Sequence, residues 1–296
     1  MFNNLIGNDK IKNDLQTVLK NNNIFHSYMF IGTEGIGKKE FAKEFANGIL
    51  CTGEIKPCGK CKSCLEFQSN NHPDFYYIGL GEENSIKIEV IRQLQKKIGE
   101  LPIVSNRKVY IIDDFEYVTK EAQNCLLKTI EEPPEFVTII LITANESRIL
   151  NTIKSRCLKI SFNNIEDDLL KKILEENYNI KNISKNKLKS YNGSIGKALQ
   201  MQEKEEIYTK VEKVFENIDS YNIISAKNNL EVLYKEKDYI TEILDYINVV
   251  FLNKATNNAK YIDYIEKVEE TKRKINSNCN YDMTIDSLLF KIFELE

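Results

Sequence analysis

A glycine-rich segment near the start of the chain constrains the fold more strongly than any other feature. Residues 32–38, GTEGIGK, fit the pattern G-x-x-x-x-G-K. The apolar run at 28–32 predicts a buried strand, and residues 38–50 predict a helix because apolar side chains recur there every four positions. In this context the segment is typical of a phosphate-binding loop, whose backbone N–H groups and helix N-terminus face phosphate oxygens. It therefore predicts an α/β domain.

Strand and helix patterns alternate along residues 1–162, which predicts a parallel five-stranded sheet with helices on both faces. The predicted strands are 28–32, 74–78, 108–113, 136–143 and 157–162, and the predicted helices between them are 38–50, 86–98 and 119–131. Strand patterns stop after residue 162, and helical patterns follow at 165–176, at 184–202 and from about 205 onward. We therefore expect an α/β domain at 1–162, a small helical domain at 163–204 and an all-α domain at 205–296.

The composition excludes several classes of protein. Apolar residues make up 42% of the 296 residues, which is enough for a folded core. No stretch approaches 18 consecutive apolar residues, so we expect no membrane span. The first residues lack a charged segment followed by an apolar one, so we expect no secretory signal and a cytoplasmic protein. With 41 basic and 44 acidic residues, a net charge of −3, the chain does not fit a protein that binds nucleic acid by itself.

The residues around the loop depart from those of a working nucleotide site. Position 39 holds Lys where a Ser or Thr hydroxyl would bind Mg²⁺. An ammonium group repels Mg²⁺, so we expect a loop that is retained for folding and does not turn over ATP. Two acids stand at the end of a predicted strand, where they would hold Mg²⁺ and polarise water, but the second is shorter than the usual Glu. The residues of this degenerate site are Gly32, Gly35, Gly37, Lys38, Lys39, Asp113 and Asp114.

Four of the seven cysteines have the spacing of metal ligands, C-x6-C-x2-C-x2-C, with turn-forming residues between them. They are Cys51, Cys58, Cys61 and Cys64. Four thiolates predict one structural Zn²⁺ in a module at about 51–72, with no open coordination position for catalysis. An iron–sulfur cluster and a metal-free group of thiols remain open alternatives. His72 is a spare ligand candidate, and Cys125 and Cys157 lie in apolar patterns that predict core positions.

Two further segments make the pattern more specific. Residues 124–134 have the sequence NCLLKTIEEPP, and residues 155–157 have the sequence SRC. With the phosphate-binding loop and the cysteine cluster, they make roughly the first 200 residues similar to the delta-prime family of clamp-loader subunits of bacterial DNA polymerase III, which are AAA+ relatives. The resemblance implies an AAA+ fold in which residues 163–204 form a helical lid and residues 205–296 form an oligomerisation collar.

The resemblance also implies a function. Such subunits belong to a five-subunit ring of the DNA polymerase III holoenzyme, which opens the sliding clamp and closes it on primed DNA. The delta-prime subunit does not hydrolyse ATP, and the arginine of its SRC segment reaches the ATP site of a neighbouring motor subunit. In this chain that residue is Arg156, one of only five arginines. The planar donor fork of a guanidinium suits the spreading charge on a transferring phosphoryl group.

The implied partners are gamma/tau-type motor subunits and a delta-type subunit, with the clamp and primed DNA reached through the complex at the bacterial replisome.

A third departure from a working ATPase supports the absence of hydrolysis. Residues 193–198 resemble a region where motor subunits carry arginine at the position of Gly196.

Three alternatives remain open. The first is an ATP-hydrolysing motor subunit of the same clamp loader. The second is a zinc-ribbon nucleic-acid binder, for which Phe67 is the only aromatic residue near the lysines of the cysteine cluster. The third is a redox protein that uses the clustered thiols.

Overall fold

The computed structural model describes residue 2 and residues 5–277 and 279–293. The chain divides into two compact units, Met1–Ile165 and Glu166–Glu296. The predicted further boundary near residues 204 and 205 stays a prediction.

The first unit contains a parallel sheet of five strands. The strands are β1 (Ser27–Ile31), β2 (Phe75–Ile78), β3 (Lys108–Ile112), β4 (Val137–Thr143) and β5 (Leu158–Ser161). They lie in the order β2-β3-β4-β1-β5, and every neighbouring pair is parallel. The predicted five-stranded parallel sheet is confirmed, and each strand begins and ends within one residue of its predicted position.

Helices cover both faces of this sheet. They are α1 (Asp9–Lys20), α2 (Lys38–Leu50), α3 (Lys62–Gln68), α4 (Ile88–Ile98), α5 (Lys120–Glu131) and α6 (Asn151–Lys154). The predicted helices correspond to α2, α4 and α5, whereas α1, α3 and α6 were not predicted. The apolar residues of α1 do recur every four positions, at Ile11, Leu15 and Leu19, and all three are buried. That signal was available in the sequence, but α3 and α6 are too short for periodicity to reveal them.

Successive residues of the central strand β1 face opposite sides of the sheet and therefore join two separate apolar clusters. Phe30 packs with the aromatic side chains of α2 in one cluster, where its ring centroid lies 6.5 Å from that of Phe45. Met29 packs in the other cluster, which contains the apolar residues of α4 and α5. Burial on both faces explains why the strands have continuous apolar runs and little alternation.

The regular elements among the described residues of the second unit are all helices, as the sequence predicts. Its helices are α7 (Asp167–Tyr178), α8 (Lys185–Tyr191), α9 (Ile195–Glu203), α10 (Glu205–Glu216), α11 (Ile223–Asn229), α12 (Val232–Lys235), α13 (Ile240–Ala255), α14 (Lys260–Asn276) and α15 (Tyr281–Phe293). None of the helices that the structure describes is both long and apolar enough to cross a lipid bilayer.

Candidate functional site

The glycine-rich loop connects the carboxyl end of β1 to the first turn of α2. Gly35 and Gly37 have φ angles of 70° and 95°, which residues other than glycine rarely adopt. Gly32 is required for a different reason, because a methyl group there would lie 2.9 Å from Cβ and 3.1 Å from the carbonyl oxygen of Phe162. The loop therefore has the backbone of a phosphate-binding loop and is packed closely against the residue that follows β5.

The loop lysine is held by the loop itself. Lys38 Nζ donates hydrogen bonds to the carbonyl oxygens of Gly32 at 2.7 Å and Thr33 at 2.9 Å. Burial lowers the pKa of Lys38, and nearby carboxylates oppose this change, with Glu116 the largest contributor among them. The ammonium group that would reach a terminal phosphate is thus already engaged by two backbone acceptors.

The next lysine lies beside the carboxylate that would hold a magnesium ion. Lys39 Nζ is 3.9 Å from Asp113 Oδ2 and 4.6 Å from the ring centroid of Tyr77. The Tyr77 hydroxyl donates to the same Oδ2 atom at 2.7 Å, and Asp113 Oδ1 accepts from the N–H of Asp114 at 3.0 Å. Both oxygens of Asp113 are therefore already hydrogen-bonded, and a cation already lies next to one of them.

The second acid of the pair is turned toward the protein backbone. Asp114 has a φ of 53°, and its Oδ2 accepts from the N–H of Leu80 at 3.4 Å. Burial raises the pKa of Asp114, and the neighbouring Asp113 carboxylate raises it further.

Sequence reasoning missed two residues of this site. Glu116 accepts from the N–H of Ala144 at 2.9 Å, and the Asp-Asp-x-Glu spacing after β3 was the signal that could have revealed it. Tyr77 has no such signal, because its partner Asp113 is 36 residues away.

The four predicted cysteine ligands lie together at the carboxyl end of α2 and around α3. Their sulfur atoms are all within 4.8 Å of one another, and Cys51 Sγ is 3.9 Å from Cys61 Sγ. A tetrahedral Zn²⁺ with Zn–S bonds of about 2.3 Å separates its sulfur ligands by about 3.8 Å, so the cluster has the size that such an ion requires.

Backbone N–H groups surround these sulfur atoms. Cys51 Sγ accepts from the N–H groups of Gly53 and Cys58, each at 3.3 Å, and Cys61 Sγ accepts from the N–H of Cys64 at 3.4 Å. N–H donors favour the thiolate form. The N–H groups of Lys60 and Cys61 lower the pKa of Cys58, whereas burial raises the pKa values of Cys51 and Cys64.

His72, which the sequence offered as a spare ligand, is not a member of this cluster. Its Nδ1 accepts from the N–H of Asp74 at 3.0 Å, so Nε2 carries the proton and donates to Ser63 Oγ at 2.9 Å. Ser63 Oγ in turn donates to the carbonyl oxygen of Leu50 at 2.7 Å. This buried chain of hydrogen bonds connects the cysteine segment to the end of α2. Burial lowers the pKa of His72.

The remaining two cysteines of this unit have different surroundings. Cys157 is buried as predicted, and burial raises its pKa to about 12. Cys125 is only half-buried, and its Sγ donates to Gln95 Oε1 at 3.2 Å.

Arg156 lies in the turn that leads into the amino end of β5, whereas the glycine-rich loop follows the carboxyl end of the neighbouring parallel strand β1. Its Nη2 is 2.9 Å from Glu131 Oε1, and its Nη1 donates to the carbonyl oxygen of Thr152 at 2.8 Å. The arginine side chain remains 38% exposed. It borders an open cleft of about 560 Å³. The residues that line this cleft are Phe25, His26, Ile130, Glu131, Glu132, Ser155, Arg156, Cys157 and Leu158.

The third predicted departure from an ATPase lies in the second unit. Gly196 is the second residue of α9, and the helix is capped by Ser194, whose hydroxyl accepts from the N–H of Lys197 at 3.0 Å.

These features define a class of protein. A parallel sheet in this strand order, with a phosphate-binding loop after β1 and acidic residues after β3, is the architecture of AAA+ P-loop proteins. Residues 7–166 match the family described as DNA polymerase III, delta subunit. This match covers more than half of the chain, which therefore belongs to that clamp-loader family.

The curated relatives include both kinds of clamp-loader subunit. The chain is 34% identical over 168 residues to the DNA polymerase III subunit tau/gamma of Haemophilus influenzae, with 56% of this chain and 24% of the relative covered. It is 36% identical over 152 residues to the subunit delta' of Bacillus subtilis, with 50% of this chain and 45% of the relative covered. The chain thus spans about a quarter to a half of the length of these relatives, and their names do not distinguish between the two roles.

A solved structure from Thermotoga maritima, described as a DNA polymerase III gamma subunit-related protein, shows the same fold over nearly the whole chain. Its TM-score is 0.53 at 18% identity, and the alignment covers 95% of this chain and 98% of that one.

Proposed function

We propose that this protein is a non-hydrolysing, delta-prime-type subunit of the DNA polymerase III clamp loader. In this role it supplies Arg156 to the ATP site of a neighbouring motor subunit during loading of the sliding clamp on primed DNA. The observation that carries the proposal is the position of Lys39, which lies beside Asp113 where a working site would hold Mg²⁺.

The electrostatics of this position oppose magnesium. Two unit charges about 4 Å apart interact by about 4 kcal/mol at an effective dielectric constant of 20, and the double charge of Mg²⁺ makes its repulsion by an ammonium group about twice as large. Lys39 is 41% exposed, so solvent screening reduces this figure, and the side chain can rotate away. The hydroxyl ligand for Mg²⁺ would still be missing, and Tyr77 would still occupy Asp113.

The hydrogen bonds from Lys38 to the backbone of its own loop support the same conclusion. A nucleotide would have to replace its two backbone acceptors with phosphate oxygens. It would also have to approach the carboxylates of Asp113, Asp114 and Glu116 without a magnesium ion to offset their charge.

The four cysteines are proposed to hold one structural Zn²⁺ per chain. The sulfur separations suit a tetrahedral ion, and four protein ligands leave no coordination position for a substrate. Elemental analysis of the purified chain is expected to give about one zinc per chain. Iron with a visible absorption band would instead favour an iron–sulfur cluster, and a folded protein without metal would remove the site.

Arg156 has the properties that the proposed role in trans requires. It lies at an exposed edge of the sheet, and its ion pair with Glu131 is also exposed, so it can be broken at small cost. Arginines supplied in trans raise the rate of nucleotide hydrolysis by about 10³–10⁵-fold. The motor and delta-type subunits are the proposed partners, and the helical residues 205–296 are the proposed site of ring assembly.

The alternative is an ATP-hydrolysing motor subunit, which the relatives named gamma and tau favour. Magnesium–ATP turnover by the isolated chain separates the two functions. The proposed function predicts no turnover, and it predicts that Lys39→Thr does not restore it, because Asp114 and Gly196 remain. Turnover by a contaminant-free sample would establish the motor function.

The role of Arg156 is tested in the reconstituted clamp loader with primed DNA. Arg156→Ala is expected to leave the ring assembled and to slow DNA-stimulated hydrolysis at one neighbouring site. Arg107→Ala is the matched control, because Arg107 is another arginine of the same unit and contacts the carbonyl oxygen of Glu135. Unchanged hydrolysis in the Arg156 variant would refute the role in trans.

A further inference from the structure

We infer that Glu131 is a positioning residue that holds the guanidinium of Arg156 in a withdrawn state until a neighbouring subunit presents its nucleotide. This inference deepens the proposed function and rests on it. The ion pair between Glu131 Oε1 and Arg156 Nη2 is 2.9 Å long and lies at the wall of the open cleft.

The guanidinium of Arg156 contacts three acceptors. Besides Glu131, they are the carbonyl oxygen of Thr152 at 2.8 Å and the hydroxyl of Ser155 at 3.4 Å. A guanidinium has five N–H donors in a rigid fork, and bidentate contact with a phosphate uses two of them on one edge. The edge that carries Nη2 is engaged by Glu131, so a phosphate that binds this edge must displace the carboxylate.

A carboxylate at the position of Glu131 is unfavourable unless a cation lies beside it. It is the last residue of α5, where the negative end of the helix dipole disfavours an anion, and Glu132 follows it directly. Among the residues that the structure describes, Arg156 is the only cationic side chain within 4.0 Å of Glu131. The carboxylate of Glu131 therefore depends on Arg156 for its opposite charge, and Glu132 lines the same cleft without an ion pair to Arg156 within 4.0 Å.

The expected strength of the effect follows from exposure. Glu131 and Arg156 are 43% and 38% exposed, so the pair belongs to the weak class of surface ion pairs. Removing the charge of Glu131 is expected to raise the availability of the Arg156 guanidinium to an external ligand about two- to fivefold. This change corresponds to about 0.4–1 kcal/mol. A contact of this size delays engagement of the phosphate without preventing it.

The first measurement uses the isolated chain and does not depend on hydrolysis. The rate at which phenylglyoxal modifies Arg156, followed by peptide mass spectrometry, is expected to rise about two- to fivefold in Glu131→Gln. Modification of Arg107 serves as the internal reference. At 1 M salt the difference is expected to shrink, because the Debye length falls to about 3 Å. Equal modification rates in the two proteins at low salt would overturn the inference.

The second measurement is hydrolysis by the reconstituted clamp loader with primed DNA. Glu131→Gln is expected to raise kcat/KM, and the same change in an Arg156→Ala background is expected to have no effect. Glu132→Gln is the matched control, since it removes an adjacent charge of the same cleft and leaves the ion pair intact. An equal increase in the control, an increase without Arg156, or a decrease in Glu131→Gln would each overturn the inference.

The same experiment distinguishes failure of the role inferred for Glu131 from failure of the role in trans proposed for Arg156. If Arg156→Ala lowers hydrolysis and Glu131→Gln does not raise it, the inference fails and the proposed function stands. If Arg156→Ala leaves hydrolysis unchanged, both fail together.

Discussion

Replacing Gly53 with Ala tests whether the four cysteine sulfurs hold a metal ion in the observed arrangement. Gly53 lies in the loop between Cys51 and Cys58, and its N–H donates to Cys51 Sγ at 3.3 Å. A methyl group at this position would lie 2.9 Å from Cys58 Sγ and 3.0 Å from Cys58 Cβ. Ordinary contact distances between carbon atoms are about 3.5–4.0 Å, so Cys58 or the loop must move by about half an ångström or more.

The size of the effect follows from the cost of this displacement. Forcing an extra methyl group into a packed site costs about 1–3 kcal/mol. If the cost falls on the metal-bound state, the dissociation constant for Zn²⁺ rises about 5- to 150-fold, because 1.4 kcal/mol corresponds to tenfold. The sheet is expected to remain folded, since Gly53 lies outside its strands and helices.

The assay is competition for Zn²⁺ between the protein and a chromogenic chelator. Gly99→Ala is the control, because Gly99 has an ordinary helical backbone and a methyl group there meets no atom within 4 Å. The absorption spectrum of bound Co²⁺ gives a second readout of the sulfur geometry. A Zn²⁺ dissociation constant that does not change in Gly53→Ala would refute the proposed arrangement of ligands.

Two further predictions concern the stability of the first unit. Gly32→Ala is expected to lower the free energy of unfolding in urea by about 1–3 kcal/mol because of its clash with Phe162, whereas Gly99→Ala is expected to be neutral or stabilising. Equal stability of the two variants would contradict this packing argument. Burial lowers the pKa of His72 below its unfolded value of about 6.5. As the pH falls below 6.5, the imidazole therefore takes up a proton in the unfolded chain before it does so in the folded one. Proton uptake by the unfolded state lowers the free energy of unfolding. We therefore expect the decline below pH 6.5 to be shallower in His72→Gln, and an identical pH dependence in both proteins would count against a neutral buried histidine.

The elements that the sequence predicted well are those whose signal is local. The apolar run of β4 and the four-residue spacing of apolar side chains in α2 depend only on neighbouring positions, and both elements were predicted to within one residue. The grouping of the four cysteines is local in the same sense, because short spacings bring their sulfur atoms together in one loop.

The side-chain contacts of the candidate sites could not be predicted, because they join residues from different elements. The contact of Tyr77 with Asp113 depends on the pairing of β2 with β3, and the ion pair of Glu131 with Arg156 joins the end of α5 to the turn before β5. The half-buried position of Cys125 was also missed, because an apolar pattern indicates which face of a helix packs but does not indicate how deeply.

From its sequence alone, the protein is an α/β chain with a phosphate-binding loop that lacks a magnesium hydroxyl, a four-cysteine module and a Ser-Arg-Cys segment. Only the tertiary structure decided that the loop lysine bonds to its own backbone, that Lys39 and Tyr77 surround Asp113, and that Arg156 is paired with Glu131. The physical reason is that hydrophobic period and residue spacing act over a few positions. Contacts between charged and polar groups depend instead on the order in which the strands pair, which is set by packing across the whole sheet.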